Sequence, residues 1–142
     1  MRPVLLTFFL LGSLLTACAP RQSQQAAKSA ETTQTNVFEQ ISPAQAQQLL
    51  TRTPGLNILD VRTAEEFAAG HLTQAQQLDF YAPDFQTRLG QLDRRQPWLM
   101  YCQSGRRSAK VLELMKALGF EQVYELQGGF SGWQAAGQAV SR

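Results

Sequence analysis

Seven consecutive residues, Cys102-Gln103-Ser104-Gly105-Arg106-Arg107-Ser108, combine a nucleophile with the parts of an anion cradle. The thiol stands at the end of the apolar run Trp98–Tyr101. A helical pattern carried by Val111, Leu112, Met115 and Leu118 follows. Peptide N–H groups between a strand and a helix start lack ladder or helix partners and are open to an anion. Gly105 permits the positive φ of a curled loop. The helix N-terminus adds positive potential, and Arg106 and Arg107 supply guanidinium groups matched to a tetrahedral oxyanion. Ser104 and Ser108 add hydroxyl donors, and Ser108 is also a plausible helix cap. A thiol inside such a ring has a lowered pKa and is available as a thiolate near neutral pH. The chemistry is attack by Cys102 on a sulfur- or phosphorus-centred oxyanion held by Gln103 to Ser108. Taken singly, these residues also fit a small buried cysteine beside a solvated cationic face. The coincidence of strand, glycine, arginines and helix start favours the reactive reading.

The elements that must position this loop follow in order. Phe38–Ser42 reads as a short first strand. Ser42-Pro43-Ala44-Gln45 is a capping box with proline at the first helical position, opening a helix with Ala46, Leu49 and Leu50 on its apolar face. Gly55–Val61 is an apolar run of strand length. Thr63-Ala64-Glu65-Glu66 is a second capping box, with Gly70 as a helix stop. Gln76–Phe80 is a weak strand, and Phe85, Leu89 and Leu92 mark a helical face. Trp98–Tyr101 and Gln122–Leu126 are further strands, Gly119 stops the helix between them, and a short helix closes the chain. Strands alternating with helices predict an α/β domain with a largely parallel sheet. Ligands of such sheets bind beyond the carboxyl ends of the strands, which is where Cys102 falls.

Of the 142 residues, the first 17 read as a secretory leader: Arg2, then the apolar run Val4–Leu15, too short for a confident membrane span of about 20 residues. Leu15-Thr16-Ala17-Cys18 resembles the lipobox of bacterial lipoproteins. That resemblance implies cleavage before Cys18, lipidation of Cys18 and an extracytoplasmic, lipid-anchored protein. With Ala19 rather than aspartate next, it implies the periplasmic face of the outer membrane in a diderm bacterium. Residues 18–36 carry no large apolar side chain and read as a flexible tether; residues 37–142 form one domain. With Cys18 lipidated, Cys102 is the only remaining thiol of the two cysteines. That count excludes CxxC redox and cysteine-rich zinc sites. A formal net charge of +2 leaves no electrostatic footprint for nucleic acid.

The loop resembles the Cys-x-x-Gly-x-Arg active-site loop of the rhodanese family. Leu59–Leu72 resembles that family's Asp-x-Arg…Glu-x-x-x-Gly-His segment. Leu78–Phe85 resembles a stretch of small single-domain members, and Leu126–Trp133 the Leu-x-Gly-Gly-x-x-x-Trp signature. The match spans about residues 37–140. It implies a rhodanese-like α/β fold, a central parallel sheet flanked by helices on both faces. It implies sulfur transfer through a persulfide on Cys102, the covalent intermediate, with no metal or organic cofactor. A small sulfur-containing anion such as thiosulfate is the implied donor and a thiol or cyanide the acceptor. Membrane contact is expected only through the lipid anchor, and the expected state is a monomer.

The family's phosphatase-like branch carries a loop one residue longer. Here arginine stands at the fifth place after cysteine, Arg107, and the sixth is Ser108. A rhodanese-fold module that binds an anion or a partner without turnover is the other alternative. Gln103 stands where many thiosulfate-using members carry a basic residue. Thr73, Gln74 and Gln76 replace a usual proline, glycine and isoleucine, which predicts altered packing below the site. Asp60 and Arg62 sit at another strand's carboxyl end; they either face the same cleft or pair with each other or with Glu66. His71 is expected in a structural turn, Phe130 and Trp133 in packing, and Gly128 and Gly129 in a close turn near the loop.

Overall fold

A computed structural model describes residues 36–142. The expected leader, Cys18 and the tether as far as residue 35 lie outside the described residues. Strands and helices alternate: β1 (Val37–Ile41), α1 (Pro43–Arg52), β2 (Asn57–Asp60), α2 (Ala64–Ala69), β3 (Gln76–Gln77), α3 (Phe85–Gly90), β4 (Trp98–Tyr101), α4 (Arg106–Ala117), β5 (Gln122–Leu126) and α5 (Gly129–Ala135). The sheet has the order β1-β5-β4-β2-β3, and every pair is parallel. This is the expected α/β architecture, with β4 in the middle.

Successive side chains of a strand point to opposite faces, and here both faces are covered. Trp98, Met100 and Cys102 join Val111 and Met115 of α4 and Phe85 and Leu89 of α3 on one side. Leu99 and Tyr101 join Ala46 of α1 and Phe130 and Trp133 of α5 on the other. Burial on both faces explains why β4 is apolar throughout rather than alternating.

Both capping boxes form. Gln45 N donates to Ser42 Oγ at 3.3 Å and Ser42 N to Gln45 Oε1 at 2.9 Å. Glu66 N donates to Thr63 Oγ1 at 3.3 Å and Thr63 N to Glu66 Oε2 at 3.0 Å. The third strand is shorter than expected. Leu78 N still reaches Asp60 O at 2.9 Å and Phe80 N reaches Val61 O at 3.4 Å before the chain turns away, with Tyr81 N donating to Asp79 Oδ1. At α4 the cap is Gly105, in the left-handed region at φ 95°, and Ser108 lies inside the helix. This corrects the assignment of Ser108 as a cap: its hydroxyl turns inward.

The last turn of the chain fixes the loop after β4. Gly128 and Gly129 adopt φ 72° and 57°, which swings α5 against that loop. Phe130 N donates to Cys102 O at 2.8 Å and Ser131 N to Gln103 O at 3.0 Å. The backbones approach so closely that a Cβ built on Gly129 collides with the Cys102 carbonyl oxygen and lies 2.9 Å from Gln103 C and Ser104 N. Gly55 also has positive φ, 83°, but open space around it.

The two positions therefore separate backbone strain from collision. Gly55→Ala is expected to cost about 1 kcal/mol, the strain of a left-handed residue. Gly129→Ala should cost about 2–4 kcal/mol, because overpacking adds to that strain. Urea denaturation of the two variants checks the ranking; equal costs would remove the close approach as a constraint.

Candidate active site

Cys102 follows β4 directly and is 1% exposed. Its Sγ accepts the Gly105 N–H at 3.1 Å and lies 3.5 Å from Ser108 Oγ. The curl that closes this contact needs the left-handed Gly105. Burial alone pushes the thiol up. The Ser108 hydroxyl and the peptide N–H groups of Ser108, Ser104 and Arg107 outweigh it, and the balance holds Cys102 below its ordinary range. These donors come from a loop whose first two carbonyls are taken from behind by α5. The N–H groups are thus left to the sulfur and the space before it.

On the outer side of this loop lies a polar cavity of about 730 Å³, lined among others by Phe80, Tyr81, Gln103, Ser104, Arg106, Arg107 and Lys110, with Cys102 itself behind the lining. Tyr81 is 67% exposed at its rim. The two arginines behave differently. Arg107 donates from Nη1 and Nη2 to Glu66 Oε2 and Oε1 at 2.8 and 2.7 Å, a bidentate pair joining α4 to α2. Its guanidinium also lies 5.6 Å from the centre of the Tyr81 ring. Arg106 and Lys110, one helical turn apart, form no ion pair among the described residues. Arg107 therefore walls the site as a neutralised pair, and the uncompensated positive charge of the rim comes from Arg106 and Lys110.

Asp60 and Arg62 pair with each other. Asp60 accepts Arg62 N at 2.9 Å, Nε at 3.0 Å and Nη2 at 2.7 Å, and both side chains are fully buried. Arg62 Nη2 also donates to Gly70 O at 2.6 Å, and its guanidinium lies 4.0 Å from the centre of the Phe130 ring. Nη1 donates to Gln103 Oε1 at 3.1 Å, while Gln103 Nε2 donates to Ser131 Oγ at 2.9 Å. The Gln103 side chain is thus held by two neighbours, and the Asp60–Arg62 pair supports the loop from below instead of facing the cleft. His71 stacks on Phe67, its Nδ1 is 3.1 Å from Phe67 O, and its backbone bridges to Ser141. Its place is structural, in an isolated bridge rather than in the expected turn. Phe130 and Trp133 are buried in packing.

Three residues near the loop escaped the sequence reading. Tyr81 and Lys110 line the cavity, and for Lys110 the signal was its i+4 spacing from Arg106. Glu125 is the third. It lies on β5 two places after the core residue Val123, so strand alternation puts a carboxylate on a core-facing row. It is 3% exposed and accepts the Ser108 hydroxyl at 2.7 Å. Among the described residues no group of three or more His, Cys, Asp or Glu side chains is placed to hold a metal ion.

Comparison with known proteins agrees with this fold. The family model described as "Rhodanese-like domain" matches residues 42–136. The chain is 36% identical over 99 residues to a thiosulfate sulfurtransferase GlpE of Ectopseudomonas mendocina, covering 69% of this chain and 86% of that protein. A GlpE of Pseudomonas putida (strain GB-1) is 37% identical over 98 residues, with the same coverage. Among solved structures, a rhodanese-related protein from Thermoplasma volcanium shares the fold with a TM-score of 0.64 at 22% identity, covering 72% of this chain and 97% of that one. A rhodanese-like domain protein from Staphylococcus aureus superposes with a TM-score of 0.60 at 27% identity, covering 67% and 90%.

The ion pair at the cavity wall titrates in acid. Hydrogen bonds from Arg107 hold the Glu66 carboxyl down from 4.5 to about 2. A carboxyl depressed in the folded state contributes stability above its unfolded pKa and loses it as pH falls through the folded one. Wild type should exceed Glu66→Gln in stability by about 2 kcal/mol at neutral pH, given a partly solvated pair. That advantage should fade from pH 4.5 and be gone near pH 2, the two ends of the shift. Unfolding curves of both proteins across this range test it; a pH-independent difference would mean that the pair carries no charge coupling.

Proposed function

The chain belongs to the rhodanese-like domain family, and from that membership we propose that it is a sulfurtransferase carrying sulfane sulfur as a persulfide on Cys102. The observation that carries this reading is a thiol held below its ordinary range at the centre of a ring of peptide N–H donors, with Gly105 N at 3.1 Å.

In the first half-reaction the Cys102 thiolate attacks the outer sulfur of a sulfane donor such as thiosulfate. The new bond joins Sγ to that sulfur. The donor's own S–S bond breaks, and its electron pair leaves with sulfite. In the second half, an acceptor thiolate or cyanide attacks the outer sulfur of the persulfide. The bond to Sγ breaks and Cys102 departs as a thiolate. The same N–H donors that favour the attacking thiolate stabilise the departing one. Arg106 and Lys110 attract the donor anion to the cavity, and the peptide N–H groups of Ser104 to Ser108 hold its oxygens. Arg107, joined to Glu66, keeps the wall in place. The persulfide is the only carrier this chemistry needs, and one chain contains all of these groups.

Phosphoryl transfer is a weaker reading. The loop is one residue shorter than in the phosphatase-like branch, and its arginine is already paired with a carboxylate. The lipobox-like stretch ending at Cys18 supports action outside the cytoplasm, from a lipid anchor.

Full-length protein incubated with thiosulfate should gain the mass of one sulfur atom on the Cys102 peptide, reversibly with reductant. The Cys102→Ala variant should gain nothing. A thiol that alkylates readily, yet takes up no sulfur from thiosulfate or from other sulfane donors, would replace the enzyme with an anion-binding module.

A further inference from the structure

Glu125 is a buried carboxylate that the sulfur-transfer steps do not use. It forms no ion pair among the described residues, so its burial is not offset by a cation. Both of its oxygens act as acceptors. Oε2 accepts a hydrogen bond from Gln40 Nε2 at 3.0 Å, an amide nitrogen that only donates. Oε1 accepts one from Ser108 Oγ at 2.7 Å.

Ser108 stands between this carboxylate and the nucleophile. Its hydroxyl has a single proton and three acceptors in reach: Glu125 Oε1 at 2.7 Å, Gly105 O at 3.1 Å and Cys102 Sγ at 3.5 Å. The shortest contact, to a carboxylate, is the strongest of the three. A proton drawn toward that oxygen is shared less with the sulfur, so the hydroxyl supports the thiolate less than it would alone.

We infer that Glu125 is a positioning residue that competes with Cys102 for the Ser108 proton and so restrains the acidity of the nucleophile. The inference rests on Cys102 being the reacting sulfur, but not on which donor or acceptor it serves. Of the other charged groups nearby, Arg107 of α4 is tied to Glu66 of α2 and Asp60 is closed on Arg62 of the segment after β2. Arg106 and Lys110 of α4 stand at the cavity with no ion pair among the described residues and are common to every variant compared. On the strands flanking Glu125, its register partners are Gln40 of β1 and Met100 of β4, which do not titrate.

Such a restraint has a use in a two-step transfer. The loop amides alone favour the thiolate, and the more a thiol is acidified the weaker a nucleophile it becomes. A competitor for one donor leaves Cys102 acidic enough to depart and basic enough to attack.

The test is the pH dependence of iodoacetamide alkylation at Cys102, followed by peptide mass on the full-length chain, which needs no sulfur donor. Glu125→Gln removes the charge and can donate its amide N–H to Ser108 Oγ, freeing the hydroxyl proton for sulfur. Its alkylation midpoint should fall by about one pH unit. In a Ser108→Ala background most of that shift should disappear, since the mediating hydroxyl is gone. Thermal melting of each variant confirms that it is folded. A midpoint in Glu125→Gln that is unchanged or moves to higher pH overturns the inference. So does a shift that survives in full without Ser108, which would be plain charge repulsion. Failure of sulfur loading with an intact alkylation shift would overturn the sulfurtransferase reading and leave this one standing.

Discussion

The architecture of the site depends on one close backbone approach, that of Gly129 to the carbonyl of Cys102. Every peptide in the loop after β4 has a donor end and an acceptor end, and only one end can face the sulfur. By seating the N–H groups of Phe130 and Ser131 on the carbonyls of Cys102 and Gln103, α5 settles that choice at the start of the loop. The acceptor ends turn away and the donor ends turn in. No side chain performs this work, and any Cβ at Gly129 obstructs it. The helix start at α4 then extends the ring with N–H groups that no intrahelical carbonyl claims.

Around this backbone ring the charged side chains are distributed by depth. At the bottom, Asp60 and Arg62 form a closed pair that spends its remaining hydrogen bonds on Gly70 O and on Gln103. Halfway up, Glu66 and Arg107 pair face to face while Glu66 still caps α2. One carboxylate therefore ties a helix start to the opposite wall. At the rim, Arg106 and Lys110 carry charge without a partner among the described residues. Attraction for an anion is thus concentrated at the entrance, where the side chains are exposed and solvent screening is strong. The charges of the inner walls are paired with one another.

Much of this was legible from the chain. The strands Trp98–Tyr101 and Gln122–Leu126 stand where the apolar runs placed them, because both faces of a central parallel strand are buried and composition marks its ends. Both capping boxes formed, since they are local and need only four residues. The loop was readable from the order of thiol, glycine and arginine. The side-chain engagements within it were not. Arg107, expected to face an anion, lines the cavity and is also paired with Glu66, 41 residues earlier in the chain; spacing along a sequence does not report such a partner. Ser108 looked like a cap, but Gly105 took that place through its positive φ. Gln103, which stands out as a departure by type, is held by Arg62 and Ser131 from two other elements. The weak strand Gln76–Phe80 kept only its first two residues in the ladder, although Leu78 N and Phe80 N still reach Asp60 O and Val61 O before the turn at Asp79 and Tyr81.

The depth of Cys102 has a consequence for reach. At 1% exposure the sulfur sits under the lip of its own loop. A broad molecule that enters the cavity meets Gln103, Ser104 and Arg106 before it meets the thiol. A narrow reagent can pass that lip where a broad one is stopped. The shape of a reagent, and not its charge alone, therefore decides whether it reacts with this thiol.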